Sequence, residues 1–167
     1  AAWIGDVLQQ GFQPHEIAVF VRDKAQMDRA RHAVGQCGCV AVALDDRMET
    51  VTGHISVASM HLAKGLEFRA VVVMACDEDV IPLQERIETV TDESDLEEVY
   101  NTERHLLYVA CTRARDHLLV SGVEPASEFL GDLTGTHDRR EGAVYLDSGE
   151  TFRESSGKPI TGKTVCQ

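Results

Sequence analysis

The chain has 167 residues, 43% of them apolar, and 16 Lys and Arg against 28 Asp and Glu give a formal charge of −12. That length is one domain, able to bury about two-thirds of its unfolded surface, and its apolar share excludes a disordered segment. The acidity excludes a general nucleic-acid-binding surface, because phosphate affinity comes from clustered cations. Any DNA contact must be local or shared with another domain.

The longest apolar run, 70–76, is far short of the roughly 20 residues that a membrane span needs. No basic-then-apolar leader opens the chain. The five cysteines, an odd number, fit a reduced cytoplasmic setting. The first residue is Ala1, so a fragment or a processed chain is expected.

In chain order, Ile17-Ala18-Val19-Phe20-Val21 is a short apolar run after Pro14 and predicts a buried strand. A helix is predicted over 24–34, with Met27, Ala30, Ala33 and Val34 on one face and Gly35 and Gly38 as its stop. Residues 40–44 predict a strand, with Asp45-Asp46 opening a polar loop. Residues 54–59 alternate as a strand does. Residues 70–75 are continuously apolar and β-branched, the pattern of a strand covered on both faces in a parallel sheet. The acidic stretch 77–95 reads as a solvated loop. A long helix is predicted over 96–115, with Leu106, Leu107, Val109 and Ala110 as its apolar stripe. His117-Leu118-Leu119-Val120-Ser121 predicts a last strand. Alternating strands and helices of this kind make an α/β fold. Beyond Gly131 the pattern weakens into a loosely ordered tail, where Ala143-Val144-Tyr145-Leu146 could pair at a sheet edge.

Three segments could carry chemistry. Ser59-Met60-His61-Leu62-Ala63-Lys64-Gly65-Leu66-Glu67-Phe68 lies between two buried strands, hence at the end of a sheet, where open α/β folds bind ligands. Its His, Lys and Glu around a glycine offer a donor, a cation and an acceptor. The second segment is 101–115, a helix running into Thr112-Arg113-Ala114-Arg115. Composition leaves Arg113 open between a helix-end cation and a phosphate clamp. The third is Arg22, just past the strand at 17–21.

Two further patterns are decoys. Gly157-Lys158-Pro159-Ile160-Thr161-Gly162-Lys163-Thr164 satisfies G-x-x-x-x-G-K-T. A phosphate loop needs a strand before it and a helix after it. Here the preceding residues are polar and three residues follow. Cys37-x-Cys39 with His32 lacks the second knuckle of a structural zinc site, so no metal is expected.

The three segments, in this order, resemble the carboxyl-side motor motifs of the UvrD/Rep family of superfamily 1 DNA helicases. Arg22 with Ala25-Gln26 is similar to motif IV. The core His61-Leu62-Ala63-Lys64-Gly65-Leu66-Glu67-Phe68 is similar to motif V. Glu103-Arg104-His105-Leu106-Leu107-Tyr108-Val109-Ala110-Cys111-Thr112-Arg113-Ala114-Arg115 is similar to motif VI. Asp79-Val80-Ile81-Pro82 resembles the Gly-x-Phe-Pro stretch after motif V, and Ser127-Glu128-Phe129-Leu130 an ending of shorter members. A joint match to motifs V and VI in order is far more specific than one short motif.

The resemblance implies a RecA-like P-loop NTPase fold over residues 1–131, without a phosphate loop of its own, and a tail over 132–167. It implies the second of two RecA-like domains in an ATP-dependent DNA helicase translocating 3′ to 5′. Arg113 would be the arginine finger and Arg22 a second γ-phosphate arginine. Glu67 would accept from the ribose hydroxyl, with Lys64 and Gly65 beside the nucleotide. Ser59 and His61 would touch single-stranded DNA, and Tyr108 would be a core contact. The cofactor implied is ATP with Mg2+, the metal held by the first RecA-like domain. The partners implied are that domain and single-stranded DNA, with no membrane, for a monomer in the cytoplasm or on the nucleoid. Met27-Asp28 replaces the Ser-Arg of motif IV, Ser59 replaces the Thr of motif V, and Leu62 stands where a small or basic residue is common. The net charge of −12 and the altered motif IV leave a non-catalytic docking module as the alternative.

Overall fold

The strand Ile17–Val21 (β1) is buried along its whole length and serves two separate cores. Ile17, Val19 and Val21 join one cluster, Ala18 and Phe20 the other. This is the two-residue side-chain period of a strand, and it needs a sheet covered on both faces. The computed structural model describes residues 1–44, 49–134, 143–147, 152–153 and 159–160.

Helix α1 (Ala2–Gln9) precedes β1. After β1 come α2 (Met27–Gly35) and the strands β2 (Val40–Ala43), β3 (His54–Ser59) and β4 (Phe68–Val73). Helices α3 (Gln84–Glu88) and α4 (Glu93–Cys111) lead to β5 (Ala114–Ser121), α5 (Phe129–Thr134) and β6 (Ala143–Asp147). The short strands Phe152–Arg153 (β7) and Pro159–Ile160 (β8) pair with each other. The main sheet runs β2-β3-β1-β4-β5-β6. It is parallel except where β6 joins β5 antiparallel. The fold is α/β with a mostly parallel sheet, as the sequence predicts.

The helices divide between the faces. Ile4 and Val7 of α1 and Ala30 and Val34 of α2 pack with Ile17, Val19 and Val21. Leu107 and Ala110 of α4, with Met60 and Ala63, pack with Ala18, Phe20, Val71 and Val73 on the other side. The chain therefore leaves β1 toward one face and leaves β3 toward the other. Their carboxyl ends form a switch point, the place where open α/β sheets bind ligands.

Several elements differ from the sequence reading. Residues 24–26 form a 3-10 turn capped by Asp23, whose carboxylate accepts from the Ala25 amide at 2.9 Å, and α2 starts only at Met27. The stretch 77–95 is not a solvated loop throughout. Ile81 and Pro82 are buried, α3 lies within it, and α4 begins at Glu93 under the Asp92 cap. That start gains from Glu93 and Asp95 in the first turn, where acids favour the helix dipole. β2 is an edge strand with Val40 exposed. Helix α1 has no counterpart in the sequence reading. Asp45-Asp46 and most of 157–164 lie outside the described residues.

The ends of β4 and β5 meet closely. The Cys76 amide donates to Ser121 O at 3.0 Å, and the Asp77 carboxylate accepts from the Val123 amide at 2.7 Å. A Cβ on Gly122 would sit 2.3 Å from the Cys76 carbonyl oxygen. That oxygen belongs to the main chain and cannot swing away. Gly122→Ala is expected to destabilise the fold by about 1–3 kcal/mol, read as a lower midpoint in denaturant. An unchanged midpoint would show that this crossing relaxes freely.

Candidate functional site

The switch point brings distant residues together. Val21 and Ser59 are register partners at the carboxyl ends of β1 and β3. Arg22 follows directly and is 3% exposed. Its Nε donates to one oxygen of Glu103 at 2.5 Å and its Nη2 to the other at 2.6 Å, a bidentate pair. Its Nη1 lies 2.9 Å from Nε2 of His61. Glu103 reaches this point from α4 and is fully buried. It also accepts from Arg86 Nη1 at 2.9 Å and from the Leu83 amide at 3.3 Å. Burial alone would raise the Glu103 pKa, but hydrogen bonds and charge from Arg22, with Arg86 and the Leu83 amide, hold it below the ordinary value.

From Ser59 the chain crosses the sheet face. Met60–Leu62 forms a 3-10 turn beneath α4, and Gly65 takes a φ of +83° in the tight turn that follows. This conformation suits glycine because no Cβ meets the carbonyl. Leu66 is buried, whereas Lys64 and Glu67 are exposed. The chain then enters β4 at its amino end, where the Phe68 amide donates to Arg113 O at 3.0 Å.

Arg113 stands just past α4, at the amino end of β5. Its Nε donates to Val109 O at 3.1 Å, its Nη1 to Leu66 O at 3.2 Å and its Nη2 to Thr112 Oγ1 at 3.1 Å. The guanidinium thus closes the carboxyl end of α4 and clamps the turn carrying Lys64, Gly65 and Glu67. No carboxylate pairs with it among the described residues. Its charge is held in place, partly exposed and not neutralised by a side chain of the described residues.

The expected residues therefore form two groups. Ser59, His61 and Arg22 gather at the carboxyl edge, while Lys64, Gly65, Glu67 and Arg113 gather at the amino edge of β4 and β5. Arg22 sits with His61, not with Arg113. Glu103 and Val109, which anchor the two guanidiniums, are six residues apart on α4, a rise of about 9 Å. An anion reaching Arg22 would have to displace the buried Glu103 carboxylate. Tyr108 is a correction: it is 54% exposed rather than part of the core, because α4 buries the face of Val99, Glu103, Leu107 and Ala110. Among the described residues, no group of three His, Cys, Asp or Glu side chains is placed to hold a metal. No helix among them is long and apolar enough to cross a membrane.

Residues 40–124, more than half of the chain, match the family of UvrD-like helicase C-terminal domains. The chain belongs to this family. Over 80 residues it is 38% identical to the ATP-dependent DNA helicase PcrA of Staphylococcus epidermidis, covering 48% of this chain and 10% of that protein. Over 75 residues it is 37% identical to the ATP-dependent DNA helicase UvrD2 of Mycobacterium tuberculosis H37Rv, covering 45% and 10%. The chain spans about a tenth of the length of these relatives. The fold is similar to the crystal structure of the C-terminal domain of a possible DNA helicase from Lactobacillus plantarum WCFS1. The TM-score is 0.52 at 22% identity, covering 77% of this chain and 68% of that one.

Within this UvrD-like domain, two site residues carried no role in the sequence reading. Glu103 is the centre of the buried network and Arg86 its second cation. Glu103 had a signal: it falls four residues after Val99 and four before Leu107, on the buried stripe of an amphipathic helix. A carboxylate in that stripe requires a buried cation. Arg86 had none, since α3 lies in a charged stretch of ordinary composition.

Proposed function

We propose that this chain is the second RecA-like motor domain of an ATP-dependent DNA helicase, with residues 1–131 as the domain proper. It contributes Arg113 and the Lys64-Gly65-Leu66-Glu67 turn to an ATP site completed by a first RecA-like domain, and Ser59 and His61 to single-stranded DNA. The observation that carries this is the convergence of Arg113 on Leu66 O at 3.2 Å, which sets a guanidinium with no carboxylate partner among the described residues beside a turn with an exposed Lys and Glu. The names of PcrA and UvrD2, both ATP-dependent DNA helicases, support the same reading.

The chemistry asks little more of this domain. Phosphoryl transfer is catalysed by positioning and charge stabilisation, and an arginine supplied from a second domain contributes on the order of 10³–10⁵ in rate. Carrying that arginine on a separate domain couples hydrolysis to domain closure, which can drive stepwise movement along a strand. In this reading Glu67 accepts from the ribose and Lys64 meets phosphate. Mg2+ bound with ATP would shield phosphate charge; no group of three acidic, His or Cys side chains among the described residues is placed to hold it, so its protein ligands are assigned to the first domain. Movement 3′ to 5′ is the direction proposed. Arg22 is proposed here as a support for His61, because its guanidinium is committed to Glu103.

The test compares ATP hydrolysis by the isolated 167-residue chain and by a full-length protein containing it, with and without single-stranded DNA. Hydrolysis by the full-length protein alone, stimulated by DNA, is expected. A full-length protein without ATPase activity would make the chain a docking module. Equal turnover by the isolated chain would show that it holds a complete site.

A further inference from the structure

Arginine has no acceptor, and its guanidinium keeps its protons throughout the ordinary pH range. The 2.9 Å contact between Arg22 Nη1 and His61 Nε2 therefore has one polarity: Arg22 donates and Nε2 accepts. A neutral imidazole that accepts through one nitrogen carries its proton on the other. Arg22 cannot rotate away, because both oxygens of a fully buried Glu103 hold its Nε and Nη2. Glu103 is itself fixed by Arg86 and the Leu83 amide. Four segments thus lock one side chain: the end of β1, the approach to α3, α3 itself and α4. His61 is exposed, and its Nδ1 has no partner among the described residues.

We infer that the Arg22–Glu103 pair is a positioning device that holds His61 as its neutral Nδ1–H form, so that this residue meets a nucleic-acid phosphate as a directional hydrogen-bond donor and not as a cation. The inference rests on the reading of His61 as a DNA contact. It adds that the contact works without the histidine being charged, and that its geometry is set by α4, the helix that ends two residues before Arg113. Arg22 and Glu103 act through His61 and touch no substrate themselves.

The decisive measurement is a nitrogen-15 spectrum of the histidine side chains in the unmodified 167-residue chain at neutral pH, with His61 assigned by His61→Asn. A protonated and a bare imidazole nitrogen are far apart in such spectra. The expected result is a bare Nε2 and a protonated Nδ1. A protonated Nε2, alone or together with Nδ1, overturns the inference. The double variant Arg22→Met with Glu103→Leu removes the donor while replacing the ion pair by apolar groups, an exchange that buried pairs often tolerate. It should release His61 to the mixture of forms seen for the free side chain, and an unchanged His61 spectrum in the folded double variant overturns the role of Arg22.

Single-stranded DNA affinity of the full-length protein then tests the contact. His61→Asn, whose amide can donate from a position close to Nδ1, should bind within about threefold of the wild type. His61→Gln, which displaces the donor, should weaken binding by about tenfold, the equivalent of one lost charge-assisted hydrogen bond. Equal affinity for both variants and the wild type would overturn the DNA reading of His61, a failure separate from any failure of the spectra.

Discussion

Replacing Arg113 with alanine in a full-length protein carrying this domain is expected to lower DNA-stimulated ATP hydrolysis by at least about a hundredfold, toward the 10³–10⁵ that an arginine finger contributes. The loss should fall on kcat more than on KM, since a group that acts on charge developing in the transition state adds little to ground-state binding. The competing role is structural. Arg113 closes α4 by donating to Val109 O and braces the turn through Leu66 O, and a cation at a helix carboxyl end adds about 0.3–1 kcal/mol. A purely structural Arg113 would cost stability on that scale and leave the turnover of folded protein intact. Arg113→Lys separates the two roles further. It keeps a positive charge at the helix end but cannot present paired donors to phosphate, so it should preserve the melting temperature and still lose most of the activity. An Arg113→Ala protein that is folded and turns over normally would reduce Arg113 to a helix-end cation.

The sequence shows the sheet more plainly than the site, for a physical reason. β1 and β4 are buried on both faces, so they read as continuous apolar runs, whereas β3, with His54, Ser56 and Ser59, reads by its alternation. Strand 40–43 reads as well as the others, yet it lies at the edge with Val40 exposed, because composition carries no information on strand order. The stretch 77–95 reads as solvent-exposed because its charges outnumber its apolar residues. Those charges include Arg86, which turns inward to Glu103, and Ile81 is fully buried beside them. Tyr108 is misplaced by one step of the helical wheel: the buried stripe takes Leu107 and turns its neighbour outward. The residues around Lys64 and Arg113 were legible by spacing and resemblance, but their contact through Leu66 O is a main-chain interaction, to which side-chain identity is blind. The pairing of Arg22 with Glu103 spans 81 residues, and only the fold brings the two together.

Glu103→Ala is expected to be among the most destabilising single changes in the described part of the chain. Arg22 is 3% exposed and gives its Nε and Nη2 to Glu103, so truncation leaves a buried guanidinium without its counter-charge. Breaking such a pair costs about 3–5 kcal/mol, a large share of the 5–15 kcal/mol that holds a typical domain together. For a chain of this length that is a fall of roughly 6–20 °C in Tm. The Arg86 partner contributes less, being 39% exposed and free to turn to water. The same carboxylate makes stability depend on acid. The Glu103 pKa is lowered by folding from the ordinary value near 4.5, because the arginines and the Leu83 amide outweigh burial. The folded chain therefore resists a proton that the unfolded chain accepts. The stabilisation is complete above the unfolded value and is lost as pH falls through the folded one. Melting curves of the wild type and Glu103→Gln between pH 3 and pH 7 should show this difference: the gap between them is widest at neutral pH and narrows below about pH 4.5. A gap that stays constant down to pH 3 would mean that Glu103 does not exchange its proton with folding, and that its contribution is shape and hydrogen bonding alone.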